Sequence, residues 1–253
     1  MILFDDVQKS FGTKAVLRGV SLRIPEEQTT VIIGYSGSGK SVALKHIVGL
    51  LTPDRGSVTV DGRVVSELDG DELAALRGNI GYVFQFAALF DSMTVEENLR
   101  LALARRGLDE ATVQERVAES LAVVELSGAE DRYPAELSGG MRKRVGIARA
   151  VVSRPSYLLY DEPTTGLDPV TSAVIDRLMV RTREEYGVTG VVVTHDMRSA
   201  YTVGDRIAML YEGTIRQAGT VEEIRHTDDP VVRQFIEGRP EPIAAVPARS
   251  GTP

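Results

Sequence analysis

The amino-acid sequence predicts an α/β fold in which a helical segment interrupts a sheet, and three observations lead to this prediction. Short apolar runs of strand length alternate with helical patterns. Residues 95–152 carry a mostly helical pattern. A chain of 253 residues is long enough for one large domain or two small ones.

The predicted strands are short and apolar. Buried strands are expected at residues 30–33, 80–84, 157–160 and 191–194. In two further segments an acidic residue and a glycine stand between apolar flanks, which is typical of hairpins. Residues 58–65 are expected to turn at Asp61-Gly62, and residues 207–215 at Glu212-Gly213.

The helical segment contains four apolar residues that recur at helical spacing and indicate one buried face: Val113, Val117, Leu121 and Val124. Gly139 and Gly140 open a further helix that carries basic residues. At the end of the chain, residues 239–253 contain four prolines and few apolar anchors. We therefore expect these residues to form a mobile tail.

The composition excludes several classes of protein. The net charge of −7 makes a general nucleic-acid coat a poor candidate. The absence of cysteine excludes disulfides, zinc-thiolate sites, iron–sulfur clusters and thiol catalysis. The longest stretch without a charged residue is 13 residues, 78–90, whereas a membrane-spanning helix needs about 20 apolar residues. The first residues also lack the basic segment of a signal peptide, so a cytosolic-type protein is expected.

The segment from Gly34 to Ser41 fits the phosphate-loop pattern G-x-x-x-x-G-K-[ST] in full. It follows a predicted strand and precedes a helical run at residues 42–51, which is the context that the motif needs. Lys40 is expected to reach the β- and γ-phosphates, and Ser41 to bind Mg²⁺. The alternative is a glycine-rich turn that happens to contain a lysine. A phosphate loop alone leaves kinases, GTPases, helicases and transport ATPases open.

Polar residues end three other predicted strands. Asp161 can hold the Mg²⁺ shell, and Glu162 can polarise an attacking water, a contribution of about 10²–10⁴-fold for a general base. The alternative for this pair is a solvated strand end. Gln85 and His195 also stand at strand ends, where a lone Gln is usually a polar edge and a lone His is more often structural. A functional role for Gln85 and His195 is supported only by the other motifs.

A second helix start in the same chain can bind an anion. Ser138 is a suitable N-cap, and Gly139 and Gly140 expose backbone N–H groups before the basic residues 142–144. This helix start belongs to the helical segment, not to the α/β core. It is hard to see one nucleotide using both helix starts within one chain, but a nucleotide sandwiched between two chains could use both.

Over residues 2–238 the chain resembles the nucleotide-binding subunits of ABC transporters. The motifs follow the family's order and include Phe11 near the start and Gly166-Leu167-Asp168 after the acidic pair. The resemblance implies a P-loop NTPase (RecA-like) core with an N-terminal antiparallel β subdomain and an inserted α-helical subdomain, about residues 86–155. It also implies one nucleotide-binding domain over residues 1–238, followed by the tail at 239–253.

The resemblance further implies a role for each motif residue, with ATP and Mg²⁺ as cofactors. The residues implied to bind ATP are Phe11, Val16, Gly34, Tyr35, Ser36, Gly37, Ser38, Gly39, Lys40, Ser41 and Val42. Glu162, His195 and Gln85 are the implied catalytic residues, and Ser41, Gln85 and Asp161 are the implied metal ligands. The signature residues Ser138, Gly139, Gly140 and Met141 would close on the ATP of the opposite subunit, and Asp168 would lie at the dimer seam. Phe11 stands where the family commonly has Tyr. Met141 stands where the family commonly has Gln, and because Met offers almost no hydrogen bonding, one polar contact to the nucleotide is in doubt.

Several segments resemble more closely the MlaF-like ATPases of Mla-type, MCE-associated phospholipid transport systems. They are residues 39–46, 84–90 and 229–238, together with Met141. This resemblance implies a homodimer on the cytoplasmic face of the inner membrane, bound peripherally to an MlaE-like permease. An MlaD-like MCE-domain protein and sometimes a small MlaB-like STAS-domain subunit would complete the system, with no nucleic acid as partner.

Three alternatives stay open. An importer ATPase for amino acids or another small polar solute would have the same fold and ATP chemistry. A non-transport ABC ATPase acting on DNA or ribosomes is disfavoured by the short spacing between Lys40 and Ser138 and by the single cassette. A binding module that never hydrolyses ATP is disfavoured by Glu162 and His195.

The segment after Gln85 is expected to line a surface groove that receives a short helix of the permease. Its apolar residues are Phe86, Ala87, Ala88, Leu89, Phe90 and Met93. Phe86, Leu89, Phe90 and Met93 are the predicted permease contacts, with Leu89 and Phe90 as the anchors. The alternative is that all six apolar residues belong to the core, and two or three of them are expected to do so.

Overall fold

In the computed structural model, which describes residues 1–104 and 106–239, the strands form two sheets. A four-stranded antiparallel sheet has the order β2-β1-β4-β5, with β1 at Ile2–Phe11, β2 at Lys14–Ile24, β4 at Arg55–Val60 and β5 at Arg63–Val64. A six-stranded sheet has the order β10-β9-β3-β8-β7-β6. Its strands are β3 at Thr29–Ile33, β6 at Ile80–Val83, β7 at Tyr157–Asp161, β8 at Thr189–Thr194, β9 at Arg206–Tyr211 and β10 at Thr214–Thr220. Within it, only the β9–β10 pair is antiparallel among the described residues.

The helices connect these strands and form the inserted segment. They are α1 at Lys40–Ile47, α2 at Gly70–Gly78, α3 at Val95–Leu101, α4 at Glu110–Val123, α5 at Gly139–Val151, α6 at Pro169–Tyr186, α7 at Met197–Val203, α8 at Val221–Arg225 and α9 at Pro230–Ile236. Short 3-10 helices span Val65–Glu67 and Pro134–Glu136. Within the described ranges, none of the helices combines the length and the apolar character that crossing a bilayer requires.

The six-stranded sheet is covered on both faces, which explains why its strands are continuous apolar runs. Along β8, Val192 packs into one hydrophobic cluster while Val191 and Val193 pack into another. The first cluster contains residues of α3–α7, and the second contains residues of α1 and the antiparallel sheet. The predicted α/β class, its buried strands and both hairpins are therefore confirmed.

The helix predicted at residues 42–51 differs from the structure at both ends. It begins at Lys40 within the phosphate loop and ends at Ile47, earlier than the sequence pattern suggested. Gly49 takes a left-handed φ of 63°, and the N–H groups of Gly49 and Leu50 donate to the carbonyls of His46 and Lys45. This Schellman arrangement closes the helix, so the apolar residues after Ile47 belong to a turn.

The predicted helical segment contains α3, α4 and α5. The stripe on α4 is buried at Val117 and Leu121, while Val113 is half-buried and Val124 lies just past the last helical turn. The mobile tail predicted for residues 239–253 lies, apart from Arg239, outside the described residues. The bounds predicted for the nucleotide-binding domain, 1–238, and for its helical subdomain, about 86–155, stay predictions.

The strand order brings the sequence motifs to one edge of the sheet. Since β3, β8, β7 and β6 are adjacent and parallel, their carboxyl ends meet at the same edge. The phosphate loop follows β3, His195 follows β8, Asp161 ends β7, and Gln85 lies two residues after β6.

Candidate functional site

The phosphate loop requires glycine at two positions, because neighbouring strands approach closely and the backbone angles there are unfavourable for other residues. A Cβ on Gly34 would lie 2.3 Å from the carbonyl oxygen of Leu210, and the residue has a φ of 153°. Gly39 precedes α1 with a left-handed φ of 106°, and a Cβ there would lie 2.9 Å from Leu17. The glycines therefore let the loop fit between β9 and β2, directly before the N-terminus of a helix.

Lys40 is a buried lysine at the base of this loop. Its ammonium donates to the carbonyl oxygens of Gly34 at 2.9 Å and Tyr35 at 3.1 Å, and lies 3.5 Å from Oε1 of Glu162. A buried cation held by the loop's own carbonyls places a positive charge where the loop N–H groups converge, so the site has the electrostatics of a polyphosphate site.

Ser41 and Asp161 form the oxygen-rich part of the site. The Ser41 hydroxyl donates to Oδ1 of Asp161 at 2.6 Å, and the Tyr82 hydroxyl donates to Oδ2 at 3.1 Å. Burial, together with the charge of Asp161, raises the pKa of Tyr82, so its hydroxyl keeps its proton. Hydroxyl and carboxylate oxygens are the ligands that Mg²⁺ prefers, and the pair fits that ion.

Within the described residues, no cluster of three or more carboxylate, histidine or cysteine side chains could hold a metal ion by itself. This is the expected situation for Mg²⁺, which commonly binds through one or two carboxylates and the phosphates of a substrate. Ser41 and Asp161 would hold such an ion, and Gln85 lines the same cleft.

Glu162 lies at the centre of the site in an uncommon main-chain conformation. Its φ is 49°, in the left-handed region that costs a non-glycine residue about 1 kcal/mol or more. Oε2 accepts a hydrogen bond from Thr165 at 3.1 Å and lies 2.9 Å from Nδ1 of the exposed His195. Two neighbours thus orient a half-buried carboxylate beside the lysine, as a general base requires.

One open cleft of about 780 Å³ is lined by Lys40, Ser41, Gln85, Glu162 and His195 together with Phe11, Val16, Tyr35, Ser36, Gly37, Gly39 and Val42. Gly34, Ser38 and Asp161 do not line it, and Asp161 is joined to it through the hydrogen bond from Ser41. The structure therefore brings together most of the residues predicted to bind ATP and those predicted to act in catalysis. Sequence reasoning missed Lys14, Thr165 and Phe235, which also line the cleft. Phe235, from the distant α9, packs edge to face on Tyr35 with 5.0 Å between ring centroids. Nothing local in the sequence indicated that contact.

The signature residues lie on a second cleft of about 580 Å³, which Asp168 and Thr171 also line. Ser138 caps α5, since its hydroxyl accepts from the N–H of Met141 at 3.2 Å. Asp168 caps α6 by accepting from the N–H groups of Val170 and Thr171 at 2.9 and 3.0 Å. Hydrogen bonds from Thr171 and Val170 hold the pKa of Asp168 below its usual value. Within one chain, the signature thus opens on a different cleft from Lys40.

The segment after Gln85 is a surface turn that belongs only in part to the core. Ala87 is buried and Leu89 packs half-buried against the core, whereas Phe86 is 86% exposed and Phe90 is 51% exposed. Ala87 and Ala88 have left-handed φ values of 58° and 50°, which turn the chain sharply. Core placement of two or three of the six apolar residues is therefore confirmed, and core placement of all six is wrong.

The single groove expected from the sequence is divided in the structure. Phe90 lines a groove of about 460 Å³ together with Phe84, Leu101 and three arginines, Arg77, Arg106 and Arg149. Phe86 and Leu89 instead line a neighbouring cleft of about 470 Å³. The left-handed turn sends them there, and Met93 is half-buried below it. The prediction that these four residues contact a permease stays a prediction.

A family model described as ABC transporter matches residues 17–165, more than half of the chain. The probable ribonucleotide transport ATP-binding protein mkl of Mycobacterium bovis is 42% identical over 91% of this chain. The chain spans only 65% of that relative's length. The chloroplastic protein TRIGALACTOSYLDIACYLGLYCEROL 3 of Arabidopsis thaliana is 43% identical over 92% of this chain and 72% of its own length.

A solved structure with the same architecture is the ATP-binding cassette MJ0796, a dimer in a post-hydrolysis state bound to ADP and Pi. It is 36% identical in sequence and has a TM-score of 0.79, covering 87% of this chain and 99% of that chain. Its fold is therefore the fold of this chain, and the cleft described above lies in a cassette of the same type.

Proposed function

The chain belongs to the ABC transporter family, and from this premise we propose that it is the ATP-hydrolysing subunit of a membrane transporter. One observation carries the proposal. Glu162, oriented by His195 and Thr165, lies beside the buried Lys40 and next to the Ser41–Asp161 pair. A phosphate cradle, an oxygen ligand pair and an oriented carboxylate in one cleft are the parts that ATP hydrolysis requires.

In the proposed reaction, the loop N–H groups and Lys40 bind the phosphates, and Phe11 stacks on the adenine. Ser41 and Asp161 would hold Mg²⁺, which would supply charge stabilisation at the phosphate oxygens, and Gln85 lines the same cleft. Glu162 accepts the proton of a water whose oxygen attacks the γ-phosphorus, while the bond to the β-phosphate oxygen breaks and ADP leaves. His195 holds the Glu162 carboxylate and contacts the γ-phosphate.

The substitution Glu162→Gln tests this assignment. Because the carboxylate acts mainly when water attacks, its loss should lower kcat by about 10²-fold or more and leave ATP affinity within about threefold. The exposed Glu67 on a distant turn provides the matched control Glu67→Gln, which should retain full activity. A wild-type protein that binds ATP without hydrolysing it would identify the chain as a binding module instead.

We further propose that the transporter moves phospholipid and pairs this chain, as a homodimer, with an MlaE-like permease and an MCE-domain protein. The sequence segments that resemble MlaF-like ATPases support this, as does the similarity to an Arabidopsis thaliana protein that is named after a galactolipid. Peripheral binding at the cytoplasmic face of the inner membrane, and a small STAS-domain subunit, belong to the same proposal. The alternative is a transporter of a small polar solute, which the similarity to mkl, a probable ribonucleotide transport protein, favours.

Proteoliposomes distinguish the two substrates. The chain is purified with an MlaE-like permease, and ATP-dependent movement of fluorescent phospholipid is compared with uptake of radiolabelled amino acids and nucleosides. We expect phospholipid movement that the Glu162→Gln variant abolishes. Uptake of a polar solute without phospholipid movement would establish the alternative.

A further inference from the structure

Lys143 is a buried lysine that the mechanism above does not use. It lies on α5, three residues after Gly140, and is only 7% exposed. Its ammonium donates to the main-chain carbonyl oxygen of Gln85 and lies 3.5 Å from that of Glu162. Among the described residues no carboxylate lies within ion-pair distance of it; burial lowers the pKa of its ammonium, and the charge of Glu162 opposes this shift. A buried cation without an ion-pair partner is unfavourable unless other groups stabilise it, and the two carbonyl oxygens do so here.

Both acceptors belong to the γ-phosphate end of the proposed ATP site. Gln85 follows β6 and Glu162 follows β7, two neighbouring parallel strands, and both residues line the nucleotide cleft. The direction of a carbonyl oxygen sets the orientation of its peptide plane, and therefore the backbone angles of the residues on either side. Glu162 already has a left-handed φ of 49°. A single ammonium between the two carbonyl oxygens thus orients the main chain at Gln85 and at Glu162 together.

The side of α5 that carries Lys143 also contacts the rest of the turn at residues 85–88. Arg149 donates to the carbonyl oxygens of Ala88 at 2.6 Å and Ala87 at 2.7 Å. Between the two cations lies Gly146, where an added Cβ would be 3.4 Å from the Cβ of Ala87. Residues 143, 146 and 149 are spaced by three and share one side of the helix. The helix that begins at the signature is therefore attached to residues 85–88 along this side.

We propose that Lys143 is a positioning residue. It links α5, the helix that begins at the signature, to the main chain of Gln85 and of Glu162 at the γ-phosphate end of the cleft. It orients Gln85 and Glu162 without touching the nucleotide. This role rests on the proposed ATPase function. It predicts that Lys143 matters for the hydrolytic step and much less for ATP binding, since Lys40 and the phosphate loop are not among its partners.

The test compares three variants of the full chain. Lys143→Met removes the ammonium but keeps the length of the side chain, and Lys143→Arg restores a charged donor. Arg154→Met is the control, because Arg154 is an exposed cation just past the end of α5 whose guanidinium donates to Glu119 at 2.7 Å, and it lines neither the nucleotide cleft nor the signature cleft. The measurements are melting temperature, ATP affinity, KM and kcat.

We expect Lys143→Met to keep ATP affinity and KM within about threefold and to lose about tenfold or more in kcat, since small misplacements of reacting groups have effects of that size. Lys143→Arg should recover most of kcat, and Arg154→Met should stay near wild type. If Lys143→Met does not fold, Lys143→Gln replaces it under the same criteria. An unchanged kcat, an equal loss in Arg154→Met, or a loss confined to ATP affinity would overturn the positioning role. Absence of hydrolysis by the wild-type chain would refute the ATPase proposal itself.

Discussion

At the scale of single residues, Lys40 is the side chain on which ATP affinity should depend most. It is buried at the base of the loop, and in the proposed reaction it binds phosphate groups that are already present before water attacks. The change Lys40→Ala should therefore weaken ATP binding by about 10²-fold, because a charged hydrogen bond to phosphate contributes about 1.5–3 kcal/mol. Fluorescent-nucleotide titration measures this.

Lys45 supplies the control for that change, because it is an exposed lysine on the same helix. Lys45→Ala removes the same charge and should leave ATP affinity nearly unaltered. Equal losses in both variants would show that general electrostatics, and not the loop contact, determines affinity.

Asp176 is a second residue whose behaviour follows from its surroundings. It is 3% exposed, its Oδ2 accepts from Ser199 at 3.0 Å, and its Oδ1 has no hydrogen-bond partner among the described residues. Burial raises the pKa of this carboxyl to about 6, with Asp196 as the nearby negative charge. Above pH 6 the buried carboxylate is ionised and destabilises the folded chain.

The variant Asp176→Asn should therefore be more stable than wild type at pH 7.5, by an amount on the order of 1–3 kcal/mol. The sign follows from proton binding: between pH 3.8 and 6 the folded state holds more protons than the unfolded state, so wild-type stability falls as pH rises. The gain should vanish near pH 4. Urea unfolding at both pH values measures it, and the exposed Asp131→Asn serves as control.

At the scale of elements, the turn between β6 and α3 presents Phe90 to the groove while its main chain stays anchored. The N–H of Phe90 donates to the buried Asn98 at 2.8 Å, and its carbonyl accepts from the same side chain at 3.1 Å. Removing the ring should leave this anchor intact. Phe90→Ala is therefore expected to fold and to bind ATP normally.

The expected defect of Phe90→Ala is loss of the permease, because truncating a buried interface aromatic can cost about 2 kcal/mol or more. Co-purification yield and permease-stimulated ATPase activity measure it. Leu50→Ala, at an exposed apolar residue away from the groove, is the control. Full permease yield with Phe90→Ala would remove Phe90 from the interface, and an unfolded variant would show that the ring supports the fold.

At the scale of the whole molecule, the two anion-binding helix starts open on different clefts of one chain. A second copy that offers its signature to the first copy's ATP would make both sites complete. Moving the dimer population from 1:99 to 99:1 takes about 5.5 kcal/mol, so each of two bridging ATP molecules would supply about 2.8. We expect the Glu162→Gln variant, which holds ATP without turnover, to dimerise when ATP is added.

Light scattering with and without ATP measures this dimer. The double variant Lys40→Ala/Glu162→Gln is the control, since its ATP affinity should be about 10²-fold weaker and it should stay monomeric at the ATP concentration that just saturates Glu162→Gln. A Glu162→Gln protein that stays monomeric at saturating ATP, with or without the permease, would contradict the proposed arrangement.

The phosphate loop could be identified from the sequence because its requirements are local. Gly34, Gly39, Lys40 and Ser41 act through the backbone conformation and the helix start that immediately surround them. The groups that orient the site were harder to find. Tyr82 looked like an ordinary strand residue, and only the parallel pairing of β6 with β7 places its hydroxyl on Asp161.

By itself, the sequence determined the α/β class, the strand ends that carry the polar residues and the identity of the phosphate loop. Each of these depends on periodicity or on neighbours a few positions away. The tertiary structure alone decided that Phe86 and Phe90 face different clefts and that Lys143 reaches Gln85 and Glu162. Those facts depend on a left-handed turn and on helix packing between segments up to 58 residues apart, which no local pattern encodes.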